Sequence, residues 1–104
     1  MENSENEKRS AEIMFLLIRE LWYQSDYGKK VMKNVARCIY EVKKSSCKEL
    51  EVAQCFLFLI DNGLIREISK EHHLYEFTDA GKNVTTQKDV EDIINQSFYN
   101  RLIQ

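Results

Sequence analysis

One hundred and four residues, 43% of them apolar and 31% charged, are enough for a single core and one domain. A net charge of −2 counts against a surface given over wholly to phosphate, and three glycines exclude a glycine-rich nucleotide cradle. No stretch reads as a signal peptide or a membrane span, so the chain is expected in the cytoplasm with no membrane partner.

Residues 1–9 are a charged, polar lead-in expected to fray. Ser10 is placed to cap a first helix that runs to about Tyr23. Its apolar residues, from Ile13 through Phe15, Leu17 and Leu21 to Trp22 and Tyr23, cover most of the circumference. Glu12, Arg19 and Glu20 mark the wet remainder. A helix so broadly apolar is either the centre of the domain or shared between two copies, and the small size of the domain favours a partner subunit.

Ser25-Asp26-Tyr27-Gly28 reads as a turn, with Ser25 or Asp26 capping a second helix from Lys29 to Lys44. At helical spacing Lys29, Lys33, Arg37 and Lys44 fall within about 80° of one another, opposite Val31, Met32, Val35, Cys38, Ile39 and Val42. From Lys29 to Lys48 there are seven bases against one acid, Glu41, a local +6 that leaves −8 for the rest of the chain. Such a face is either simply solvated or built to meet a polyanion. A solvated face is the commoner case, and the shortage of acids raises the polyanion alternative, because a face made for solubility mixes both signs.

Lys43-Lys44-Ser45-Ser46 reads as the next turn, and Ser46 with Glu49 has the spacing of a capping box for a third helix. Leu50, Ala53, Leu57 and Ile60 are its expected core stripe, widened by Phe56 and Leu59. Phe58 falls on the opposite side with Glu51 and Cys55, where the hairpin or a terminal helix is expected to cover it. Asp61-Asn62-Gly63 ends the helix, glycine supplying a left-handed stop. Two short strands follow, Leu64–Ile68 and Leu74–Phe77, joined by Ser69-Lys70-Glu71-His72-His73. Thr78 is placed to cap a short helical turn, residues 83–87 form a polar link, and Lys88–Ile103 reads as a last helix with Val90, Ile93, Ile94, Phe98 and Leu102 on one face.

Asn62-Gly63-Leu64-Ile65-Arg66, followed by Tyr75-Glu76-Phe77-Thr78-Asp79-Ala80-Gly81, resembles the recognition-helix-to-wing segment of winged helix-turn-helix transcriptional regulators of the PadR-like and MarR-like kinds. The resemblance covers about a third of the chain. It implies a mainly α fold with a small β-hairpin, with a winged core over residues 10–82 and a linker and dimerising helix over 83–104. In that layout the second helix crosses the DNA backbone, the third enters the major groove and the hairpin flanks it.

The residues implied in contact with double-stranded DNA are Lys29, Lys33, Arg37, Lys43, Lys44, Ser45, Ser46, Lys48, Gln54, Arg66, Lys70, His72 and His73. First and last helices would build a homodimer through Phe15, Trp22, Ile94, Phe98 and Leu102, and palindromic half-sites would follow from the symmetry. A small-molecule effector between those helices, near Trp22 and Phe98, is implied by the resemblance alone. Glu49 and Glu51 repel phosphate and support a rival reading, a winged-helix module that binds protein instead of DNA.

Covalent and metal chemistry find little footing. His72 and His73 are the only histidines, and Cys38, Cys47 and Cys55 lack ligand spacing, so no metal and no cofactor are expected. An odd number of cysteines fits reduced thiols, and the sequon matches at Asn83 and Asn95 are then chance. Cys47, at a helix start beside Lys48, is the one thiol in a setting that favours thiolate. No nucleophile–base constellation is visible, and an enzyme is not expected.

Overall fold

The first 27 residues hold neither glycine nor proline, and 23 of them form the longest helix, α1 (Glu2–Gln24), against which α2, α3 and α5 are laid. The computed structural model describes the backbone of residues 2–43 and 49–102 and the side chains of residues 8–42 and 50–97. After α1 come α2 (Val35–Lys43), α3 (Glu49–Asp61), β1 (Ile65–Ser69), β2 (Leu74–Phe77), α4 (Asp79–Lys82) and α5 (Gln87–Leu102). The fold is mainly helical with one two-stranded antiparallel hairpin, an α+β arrangement. No helix among the described residues is long and apolar enough to cross a membrane.

α1 packs against α2, α3 and α5 of its own chain, which accounts for its broad apolar face. Ala11, Leu17 and Leu21 are wholly buried, as are Val52 and Leu59 opposite them. Each fully buried leucine contributes about 2 kcal/mol of transfer free energy. The lead-in expected to fray is helical from Glu2 onward. The Arg9 guanidinium reaches the Glu51 carboxylate of α3 at 3.2 Å, which ties that end of α1 down.

The second helix starts six residues later than its periodicity suggests. Asp26, Tyr27 and Gly28 take positive φ values of 51°, 57° and 87°, which no right-handed helix accepts. Ser25 is fully buried; its hydroxyl accepts the Gly28 N–H at 3.0 Å and its carbonyl accepts the Lys30 N–H at 2.8 Å. The chain then runs extended, and Met32 exchanges both backbone hydrogen bonds with Tyr75 of β2, at 2.7 and 3.2 Å. The helix begins only where the Asn34 carbonyl accepts the Arg37 and Cys38 N–H groups. Lys29 and Lys33 therefore do not share a helical face with Arg37.

α3 buries a different flank from the one expected. Val52, Cys55, Phe56 and Leu59 are inside, whereas Leu50 is 69% and Leu57 58% exposed. A run of six apolar residues, Cys55 to Ile60, satisfies almost any helical phase, so the phase falls to the neighbours. α1 supplies Ile13 and Met14 on the side of Cys55 and Phe58, and Phe58 packs against the core as expected.

The helix stops at Gly63, φ +72°, where Gly63 N–H bonds the Ile60 carbonyl at 3.0 Å and Leu64 N–H the Leu59 carbonyl at 2.9 Å. This pair of bonds is a Schellman stop, and the left-handed residue it needs suits glycine.

In the hairpin Ile65 pairs with Phe77, Arg66 with Glu76 and Glu67 with Tyr75, and the register slips between Glu67 and Ser69. Ile68, expected to alternate regularly, is the extra residue of this irregularity and is 46% exposed. Thr78 caps α4 as expected, its hydroxyl accepting the Gly81 N–H at 3.1 Å. The link expected over residues 83–87 is anchored by Val84, which is buried.

Candidate nucleic-acid interface

Four cations lie within nine residues of the turn and the start of α2: Lys29, Lys30, Lys33 and Arg37, all exposed. None pairs with a carboxylate among the described residues. The antiparallel bridge at Met32–Tyr75 fixes where they sit. Continuing that register carries Lys33 alongside Leu74 and on toward the hairpin connection with Lys70, His72 and His73, which are exposed as well. Backbone pairing thus brings part of the basic segment beside the hairpin tip, a proximity invisible to helical periodicity.

Other candidates are placed differently. Arg66 is engaged across the hairpin by the Glu76 carboxylate and is not a free charge. Arg37 shares a cleft of about 470 Å³ between α1 and α2 with Glu20 and Glu41, so its field is partly offset. Gln54 is exposed on the outer side of α3, between Leu50 and Leu57, and the outer face over residues 50–61 ends on exposed Asp61. No lysine or arginine stands on α3 over that range. Lys44, Ser45, Ser46, Cys47 and Lys48 lie outside the described residues, as do the side chains of Lys43 and Glu49.

Of the residues expected to join two copies, Phe15 and Trp22 are half-buried on α1, their rings edge-on at 6.1 Å. Trp22 also meets Phe77 at 6.3 Å, tying α1 to β2. Ile94 on α5 packs against the same chain's core. The side chains of Phe98 and Leu102 lie outside the described set.

Sequence reasoning missed the role of Tyr23 and Tyr27, which stand 84% and 72% exposed at the end of α1. The Ser25-Asp26-Tyr27-Gly28 turn was the available signal, since a tight turn there throws its aromatic outward.

Burial, aided by the Glu20 carboxylate, pushes the Cys38 thiol up to about 11, so it stays protonated at neutral pH and is no nucleophile. Cys55 is likewise buried. No group of three potential metal ligands gathers among the described residues. What the region presents to solvent is ammonium and guanidinium groups, the hairpin connection with Lys70, His72 and His73, and two leucines. No family model, no curated protein and no solved structure matches this chain.

Proposed function

We propose that this chain is a winged-helix domain that grips the phosphate backbone of duplex DNA as a transcriptional regulator. Supporting the architecture is the order of helix, bridged extended segment, helix, helix and hairpin, in which Met32 adds a short third rung beside Tyr75. The observation that carries the function is the set of exposed cations Lys29, Lys30, Lys33 and Arg37, without a carboxylate partner among the described residues and flanking the Met32 bridge to the hairpin, in a molecule of net charge −2. Four such groups, each neutralising one phosphate, give a slope of log K against log salt near −3.6. The grip positions the protein and carries little sequence information by itself. In this reading α1 and α5 also form a two-fold homodimer interface, which a solution mass tests directly.

Fluorescence polarisation with a generic duplex, titrated at several salt concentrations, tests the grip. Lys33→Glu with Arg37→Glu is expected to weaken binding about 100-fold at low salt, each reversal removing one phosphate contact and adding a repulsion. A response flat in salt, or unchanged in that variant, overturns the reading.

A second reading has its own observation. Leu50 and Leu57 stand 69% and 58% exposed on the outer face of α3, where a groove-reading helix presents polar side chains. They suit a winged-helix module that docks on protein, and the flat salt response would favour it.

A further inference from the structure

The turn that displaces the start of α2 also builds a second surface. Tyr23 ends α1 and Tyr27 stands on the left-handed turn four residues later, both with most of their surface in water. Between them opens a cleft of about 620 Å³ whose wall includes Phe15, Trp22, Arg19 and Thr85. The turn is rigidly held: the buried Ser25 hydroxyl accepts from Gly28 N–H, Tyr27 N–H bonds the Trp22 carbonyl at 2.7 Å, and Lys30 N–H closes on Ser25. Tyr23 leaves from the last turn of α1 and Tyr27 from left-handed backbone that L-residues rarely adopt, and both rings stand outward.

Cations rim this cleft. Arg19 lines it one helical turn before Tyr23, and exposed Lys29 and Lys30 lie two and three residues beyond Tyr27 in the chain; none of the three has a carboxylate partner among the described residues. Glu20 lines the cleft as well and Asp26 precedes Tyr27 in the chain, so electrostatics alone makes a poor anion site here. Exposed aromatic faces interleaved with a few cations are the combination that binds unpaired bases on a phosphate strand, where stacking carries the affinity and every base has a face to offer. A duplex keeps its base faces stacked inside and has nothing to place on these rings.

We propose that the cleft between Tyr23 and Tyr27 binds single-stranded nucleic acid, stacking unpaired bases on the two tyrosines while Arg19, Lys29 and Lys30 hold the flanking phosphates. This surface shares Lys29 and Lys30 with the duplex grip, but Lys33 and Arg37 belong to the grip alone and the two tyrosines and Arg19 to the cleft alone. With three phosphates neutralised on a single strand, the slope of log K against log salt is about −2, shallower than for the duplex.

The probes are fluorescently labelled 12-mers of thymidine, of uridine and of abasic deoxyribose, read by polarisation. The thymidine strand is expected to bind at least about tenfold tighter than the abasic strand, because phosphates are equal and only the bases differ. The uridine strand tells DNA from RNA, and binding of either supports the site. Tyr23→Ala combined with Tyr27→Asn, asparagine being tolerant of positive φ, should weaken thymidine binding about tenfold or more. Tyr23→Phe with Tyr27→Phe should preserve it, since the rings remain. Trp22 fluorescence should change on adding strand to the wild type and not to the ring-deleted variant.

Lys33→Glu with Arg37→Glu should weaken duplex binding about 100-fold and leave strand binding within about threefold, so the two readings fail separately. Equal binding of abasic and thymidine strands overturns the proposal, as does full binding by a ring-deleted variant whose circular dichroism is native. Sedimentation showing a dimer that the ring deletion dissociates would assign the tyrosines to a protein interface and overturn it too.

Discussion

α3 and α5 both lie along α1, yet they are held there by different means. α3 buries Val52, Cys55, Phe56 and Leu59 and is then clamped at its C-terminal end. Beyond the Schellman pair at Gly63 and Leu64, Thr78 returns to bond Leu64's carbonyl through its N–H at 3.0 Å and Gly63's carbonyl through its hydroxyl. α5, over its described part, buries Val90 fully and Ile93 and Ile94 in part. Its start is set by polar groups, with Asp89 accepting from the Thr85 and Thr86 N–H groups, both at 3.0 Å. Over their described residues α3 buries the more apolar side chains, and α5 adds a polar cap at its start.

The difference extends to function. α3 has apolar surface to spare, in Leu50 and Leu57, whereas no described large hydrophobic residue of α5 is among the exposed ones. Leu50 and Leu57 are the apolar surface on which the protein-docking reading rests.

The clamp at the end of α3 is the place where a single atom does most damage. A Cβ at Gly81 would overlap the Leu64 carbonyl oxygen and come within 3.0 Å of the Phe77 ring. Backbone on one side and a buried ring on the other leave nowhere to move. Gly81→Ala is expected to cost about 3 kcal/mol or more, read as a loss of roughly 12 °C or more in thermal midpoint. A variant as stable as the wild type would mean that α3's stop and the hairpin base are not packed together.

Next in size is the contrast within α3 itself. Leu59→Ala empties a fully buried site and should cost about 3 kcal/mol, whereas Leu57→Ala, two residues away, should cost less than about 0.5 kcal/mol. Chemical denaturation of the two variants checks this. The reverse ranking would restore the helical phase expected from sequence and remove Leu57 from the surface.

That contrast also shows what could be read beforehand. Elements with punctuation were legible: Gly63 as the stop of α3, Thr78 as the cap of α4, and the strand pair around Lys70–His73. Each depends on a local backbone requirement that one residue type meets. The phase of α3 was not legible, because Cys55 to Ile60 offers an apolar side chain in every direction and only α1's position selects among them.

The start of α2 was misread for a related reason. Val31, Met32 and Val35 fit a helical stripe, but Met32 is buried because it pairs with Tyr75, 43 positions along the chain. Periodicity cannot report a partner so distant. The cation set at 29–37 was visible as composition, and its placement beside the hairpin was not. The exposed ring of Tyr27 rides on three consecutive positive φ values, which the letters Asp-Tyr-Gly only hint at.

The smallest expected effect tests the cap that holds α5. Hydrogen bonds from the Thr85 N–H first, then from the Thr86 N–H and hydroxyl, hold the Asp89 carboxyl below its ordinary 3.8. A carboxyl with a depressed folded-state value stabilises the native form fully above the unfolded-state value of about 3.9, and that contribution fades as pH falls through the lower, folded-state value. Amide protection at Thr85 and Thr86, measured by hydrogen exchange as protection factors, should therefore hold steady above pH ~4 and drop below it. Asp89→Asn should flatten that dependence, leaving weaker protection throughout. The Leu64 amide, whose partner is the backbone carbonyl of Leu59, should show no comparable step over the same range. If Leu64 and Thr86 lose protection together, the α5 cap opens only when the whole molecule does, and the distinction between a packing-held and a cap-held helix falls with it.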